Sequence, residues 1–256
     1  MGVNVSLVKE HAPDLVETFE AVHVHLKKAN FDPEANKAAV VLTIDDSTST
    51  ENLYAGGLIQ KKTDLAFTAG LVFDDDGEVP ASLFASDVHD LGDLNLSNYN
   101  RLIPRRPRGG GTNYYDALGW IITQAGFGKT KLGGGLFSRS NEQSVKATAE
   151  YPTFAIVITD GEPNGGTEEK IYQRLREMSQ LPIFVQFLGV TDNDRVTFDF
   201  LNELNELDGT FIDSAGFFDT REASNQEQML KGLLNEFPGY YDLARNAGML
   251  NTKATV

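Results

Sequence analysis

Hydrophobic residues recur along this chain in two rhythms, and the alternation between them lays out an α/β protein. Ala39-Val-Val-Leu-Thr-Ile44 and Phe154-Ala-Ile-Val-Ile158 are unbroken apolar runs with the length and β-branched content of strands covered on both faces. They predict strands over 38–45 and 153–159. Further strands are read at 79–85, at an edge near 87–93, and at 182–188 and 210–213. Helical spacing fills the gaps at 53–73 (Leu58, Leu65, Phe67, Leu71 and Val72 inward), 112–125, 167–180 and 196–207. Before the first strand, Leu15, Val16, Phe19, Val22 and Leu26 share one face of a helix over 13–30 that opens at Pro13. Its end, Val22-His-Val-His-Leu26, also alternates as a strand would. After the last strand come helices at 225–236 and 239–248, divided at Pro238-Gly239. This rhythm predicts a doubly wound, mostly parallel six-stranded sheet with helices on both faces and one antiparallel edge strand.

The domain reading follows. Residues 35–220 form one body, with a helical extension (1–34) and a helical tail (221–256) packed on it, because their apolar faces are too small for independent cores. The segment 126–150, rich in Gly, Ser, Thr and Lys, reads as a flexible insertion. Its Gly128-Lys129-Thr130 resembles a phosphate loop only superficially. The motif needs a glycine where Thr123 stands, and the segment follows a helix instead of a strand.

Three polar segments close apolar runs or open helices, where an α/β sheet gathers its functional loops. They are Asp45-Asp46-Ser47-Thr48-Ser49, Gly110-Gly111-Thr112-Asn113 and Thr159-Asp160-Gly161. Their candidate metal ligands are Asp45, Ser47, Ser49, Thr112 and Asp160: two carboxylates and three hydroxyls, all oxygen. Such a set suits a hard cation that retains water, Mg2+ first, with Mn2+ or Ca2+ as alternatives. Few direct carboxylates leave the cation under-neutralised, open to an acidic group from another molecule. Asp46 and Glu162 read as an acidic rim, and Asn113 as either a rim residue or a helix-start hydrogen-bonder. Turns and helix caps use the same residue types, so each segment alone is weak; the three together carry the reading.

The order D-x-S-x-S, then Thr, then D-G after a buried strand resembles the metal-ion-dependent adhesion site of von Willebrand factor type A (vWA) domains, which have a Rossmann-like fold. The chain is similar in particular to the TerF-type vWA group of tellurium-resistance and related stress proteins. Phe73-Asp-Asp-Asp-Gly77 with Val79-Pro80, Asn95-Leu-Ser-Asn-Tyr99, and Arg176-Glu-Met-Ser-Gln-Leu-Pro182 with Phe184-Val-Gln-Phe187 carry the likeness. So do Phe198-Asp-Phe-Leu201 with Asn205-Glu-Leu207, Ser214-Ala-Gly-Phe-Phe218 and Glu236-Phe-Pro238. Together they span roughly residues 35–250, and the opening Gly2-to-Lys9 segment resembles proteins of the same operon family. The family pattern D-x-S-G-S-M has Thr48 and Thr50 here in place of Gly and Met. The resemblance implies a non-enzymatic, Mg2+-dependent protein-binding module in a bacterial tellurite or stress-resistance system, its partner another protein supplying an acidic group.

Composition narrows the field. Lys and Arg number 22 against 37 Asp and Glu, giving a net charge of −15 and arguing against nucleic acid. The one basic cluster, Arg101, Arg105, Arg106 and Arg108, is a candidate docking patch for an acidic partner or simply a solvated loop. Absence of cysteine fits a reducing compartment, and no apolar run of 18 residues or secretory signal is present; a cytoplasmic protein with no membrane span is expected. A Met1-Gly2…Ser6 acylation pattern is too short to alter this. The four histidines are scattered and read as non-ligands, and Trp120 as core. Competing functions are a vWA subunit docked on an ATPase or chelatase-like machine, a haloacid dehalogenase-type phosphohydrolase, and a calcium buffer. The phosphohydrolase needs D-x-D after the first strand, where Ser47 stands instead.

Overall fold

The computed structural model describes residues 3–74, 76–128 and 147–251. Most of the expected 126–150 insertion therefore lies outside the described residues. Helices α1 (Val5–His11) and α2 (Val16–Lys28) precede the central strand β1 (Ala39–Asp45). A 3-10 turn at Thr48–Thr50 leads into α3 (Glu51–Ala55) and α4 (Leu58–Phe73), then β2 (Val79–Phe84), β3 (Val88–Leu94), α5 (Tyr99–Leu102) and α6 (Tyr114–Gln124). The second half contains β4 (Thr153–Thr159), α7 (Glu168–Met178), β5 (Ile183–Gly189), α8 (Asp199–Asn205), β6 (Ala215–Asp219), α9 (Gln226–Leu234) and α10 (Phe237–Asn246).

The six strands order as β3-β2-β1-β4-β5-β6. All neighbours are parallel except β2 and β3, which pair antiparallel as the edge. Side chains of β1 alternate between two apolar layers, as the strand period requires. Val40, Leu42 and Ile44 join α2, α4, α9 and α10 on one face, and Val41 joins α6, α7 and α8 on the other. The chain leaves β1 for β2 on one side and later fills β4 on the other. The carboxyl ends of β1 and β4 thus flank the switch point where open α/β sheets form their ligand crevice.

Both chain ends share this core. Phe237 of α10 lies 4.6 Å from the Phe154 ring, 5.2 Å from Phe73, 6.0 Å from Phe31 and 6.1 Å from Phe184. Phe19, Val22 and Leu26 of α2 are buried in the same layer.

Several boundaries differ from the sequence reading. The single helix expected over 53–73 is interrupted at Gly56-Gly57, where Gly57 takes φ 71°, so that α3 and α4 are separate. The last strand is 215–219 and not 210–213, with pairing beginning where Val185 N donates to Ser214 O. Phe211 remains half exposed. Pro238 and Gly239 do not divide two helices. They lie in the first turn of α10, where proline's missing N–H costs no hydrogen bond. Val22-His-Val-His-Leu26 is helical throughout.

Candidate metal centre

Asp45 is the last residue of β1 and is fully buried at the carboxyl edge of the sheet. Its Oδ1 accepts from Ser47 N at 2.9 Å, which turns the chain toward the Thr48–Thr50 helical turn. The Ser47 and Ser49 hydroxyls lie 3.0 Å apart, Ser47 buried and Ser49 exposed. Asp160, just beyond β4, lies close enough to the Ser49 hydroxyl and the Asp45 carboxyl to interact with both.

Backbone links bring Thr112 to this group. Gly109 N donates to Asp46 O (3.0 Å), Thr48 N to Gly110 O (3.1 Å) and Asn113 N to Ala85 O (2.8 Å). On the other side, Thr112 N donates to Asn164 Oδ1 at 2.9 Å and Thr112 O accepts from Asn164 N at 3.0 Å. The segment is glycine-rich for steric reasons. A Cβ on Gly111 would come to 2.1 Å of Asn164 Oδ1, and one on Gly110, at φ 110°, to 2.7 Å of Ser86 Oγ. The five sequence-predicted ligands thus occupy one hydrogen-bonded set of three loops.

Burial pushes the Asp45 carboxyl up to about 7, with the charge of Asp160 adding to it. Asp160 is also raised, mainly by burial. A count of hydrogens points the same way. Asp45 Oδ2, Thr159 Oγ1, Tyr114 OH and Gly161 O form a chain of contacts at 2.7, 2.7 and 2.6 Å. Thr159 Oγ1 donates to Asp45 Oδ2 and Tyr114 OH to Gly161 O, so the middle contact has no hydrogen of its own unless Asp45 is protonated and the chain reverses. A divalent cation would remove the need for that proton. The donor set therefore fits Mg2+: Asp45, Asp160, Ser47, Ser49 and Thr112 would hold it, directly or through water. Among the described residues no group of three or more His, Cys, Asp or Glu side chains is placed to hold a metal ion.

The expected periphery needs correction at two places. Asp46 is not a rim residue: it is fully buried, and Arg108 satisfies it with Nε on Oδ2 at 2.5 Å and backbone N on Oδ1 at 3.1 Å. Arg108, which also reaches Asp87 at 3.3 Å, is accordingly a loop tie and not a free docking residue. Asn113 caps α6 by accepting from Asp116 N. Glu162 is exposed beside the centre. Arg105 and Arg106 are exposed, while Arg101 donates to Ser97 O and, with Arg105, lines a separate cleft of about 810 Å³ beside Tyr54. Tyr114 and Asn164 were not singled out from sequence; Tyr114 reads as one more apolar-face residue, and nothing in the sequence marks Asn164.

A sheet with this order and edge, with loops from β1, the start of α6 and β4 meeting at the switch point, defines a vWA domain. The chain belongs to the vWA-TerF-like family, described as the vWA found in the TerF C terminus, whose profile matches residues 37–250 and so runs through the tail. It is 24% identical over 225 residues to the uncharacterized protein YcbR of Bacillus subtilis (strain 168), covering 83% of this chain and 81% of that one. The PilB minor pilin of Streptococcus sanguinis, solved as a point mutant, superposes with a TM-score of 0.50 at 13% identity, over 83% of this chain and 64% of the pilin. VWA2, an ArnB paralog from Sulfolobus acidocaldarius, gives 0.43 at 14% identity, over 78% and 45%. The chain spans less than two thirds of either solved structure. Among the described residues no helix is long and apolar enough to cross a membrane.

Proposed function

We propose that this chain is a non-enzymatic, Mg2+-dependent protein-binding module whose metal centre takes an acidic group from a partner protein, in a bacterial stress-response system of the tellurite-resistance type. Membership of a vWA family supports a protein-interaction role, and the family's description, which names TerF, supports the setting. The observation that carries the metal dependence is the pairing of buried Asp45 with half-buried Asp160, both raised toward neutrality and ringed by hydroxyls instead of cationic side chains. When bound, the cation supplies an electrophilic position for one external carboxylate. Asp45 and Asp160 hold the negative charge that attracts it, Ser47 and Ser49 present neutral oxygens, and Asn164 fixes the Thr112 backbone. Enclosure of Asp45 below the loops leaves the exposed Ser49 and half-buried Asp160 facing the partner. Affinity capture from the native host, in Mg2+ and in EDTA, tests the reading. A partner retained by wild type in Mg2+ and lost with EDTA or Asp45→Ala is expected; equal retention in all three contradicts it.

A further inference from the structure

Beside the metal centre, a cleft of about 710 Å³ opens between α6 and α7. Asn113 and Asn164 form its near wall, so it begins at the residues that hold Thr112. Its far wall carries Arg174, whose guanidinium lies on the half-exposed Tyr115 ring, Cζ 3.9 Å from the centroid. Gly119 of α6 leaves room there: a Cβ at that position would sit 3.4 Å from Arg174 Nη1. Arg174 Nε is shielded from solvent yet donates to no acceptor among the described residues. A buried cationic donor without an acceptor is costly, and proteins rarely leave one unused. The three carboxylates lining the cleft each have a partner other than Arg174. Asp116 accepts from Asn113 Nδ2 (2.7 Å), Glu169 pairs with Arg176 (3.2 Å), and Glu177 accepts from Gln173 (3.1 Å). Lys170, one helical turn before Arg174, is exposed in the same cleft.

We infer that Arg174, held on Tyr115 and assisted by Lys170, is a second anchor for the partner, taking another carboxylate of the acidic peptide segment whose first carboxylate reaches the metal centre. The inference rests on the metal-dependent reading above and specifies its partner. A single metal position accepts any carboxylate, whereas two fixed anchors select for acidic groups at a set separation. The stacked guanidinium is already ordered, so little side-chain freedom is lost on binding. With a net charge of −15, the molecule as a whole repels acidic peptides, so binding of one requires a local site.

A dye-labelled hexaglutamate peptide, titrated with the full chain and followed by anisotropy in Mg2+ and in EDTA, tests this. Wild type should bind in Mg2+. Arg174→Gln should weaken binding about tenfold, on the scale of a charge-assisted hydrogen bond, and Lys170→Gln about two- to threefold. Both variants should remain folded, with melting temperatures within a few degrees of wild type, and keep the rise with Mg2+. Wild-type affinity in Arg174→Gln, no binding by wild type, or a loss confined to an Arg105→Gln/Arg106→Gln control would overturn the inference. The two readings separate cleanly. Binding insensitive to EDTA and Asp45→Ala but lost in Arg174→Gln removes the metal and keeps the anchor; the reverse keeps the metal and removes the anchor.

Discussion

Asp45 carries the electrostatic strain of the metal-free protein. Its carboxyl titrates near 7 in the fold against 3.8 for the ordinary group. Between about pH 4 and pH 7 the folded protein therefore holds a proton that the unfolded chain has released. Stability falls as pH rises through that window, and the penalty is complete above it. Asparagine at this position keeps an acceptor for Ser47 N and donates to Thr159 Oγ1 as a protonated carboxyl would. In EDTA at pH 8, Asp45→Asn should melt at least about 3 °C above wild type, at roughly 2–4 °C for each kcal/mol of strain relieved in a chain of this size. At pH 4 the two should coincide, and Mg2+ should stabilise wild type alone; a lower melting temperature for the variant at pH 8 would refute the strain. Asp46 shows the opposite arrangement, a buried charge that is paired. Arg108→Met strands it, and a loss of about 2–3 kcal/mol in urea unfolding is expected, the partial exposure of Arg108 softening the larger cost of a fully buried pair. Sequence placed Asp46 at the rim because it adjoins the candidate ligands Asp45 and Ser47. Nothing local marks a partner 62 residues away.

Elements were legible where hydrophobicity alone decides them. β1, β4 and β5 are buried along nearly their whole length, and their apolar runs announce this. β6 was not, because Gly216 interrupts it. A Cβ there would meet Glu236 Oε2 at 2.5 Å and Gln186 Oε1 at 2.9 Å, so tertiary packing, not strand propensity, selects the residue. α1 and α5 are too short to show a period, and α1 depends on Asn4 accepting from Ser6 N and Leu7 N. That the three polar loops meet at the sheet edge was legible in the sequence, while the cross-links that hold them together were not. The link between α6 and the β4 loop is the most exposed to test. Gly111→Ala drives a methyl into Asn164 Oδ1 and should displace it from Thr112 N. Mg2+ affinity by calorimetry should fall about tenfold for the loss of one ordered ligand contact, with a stability change within about 1–2 kcal/mol. Unchanged affinity would show that Asn164 does not order the site.

Across the whole molecule, the terminal helices and the sheet share one packed core. The expected boundary at 220 marks no change in packing: Phe237 completes the aromatic cluster of Phe31, Phe73, Phe154 and Phe184. Phe237→Ala should cost about 3–5 kcal/mol in a single unfolding transition, with amide protection falling in α2, α4 and α10 together. Separate release of the tail at unchanged core stability would contradict this. The same packed core carries the three polar loops, and their use of a cation is the central claim. Crystals soaked in Mn2+, measured at its absorption edge, test it most directly. An anomalous peak about 2.2 Å from the Ser47 and Ser49 hydroxyls, absent from Asp45→Asn crystals, is the result expected of an oxygen-ligated divalent ion. No peak between Asp45, Thr112 and Asp160 at saturating Mn2+, or a peak at an unrelated carboxylate, would contradict the account.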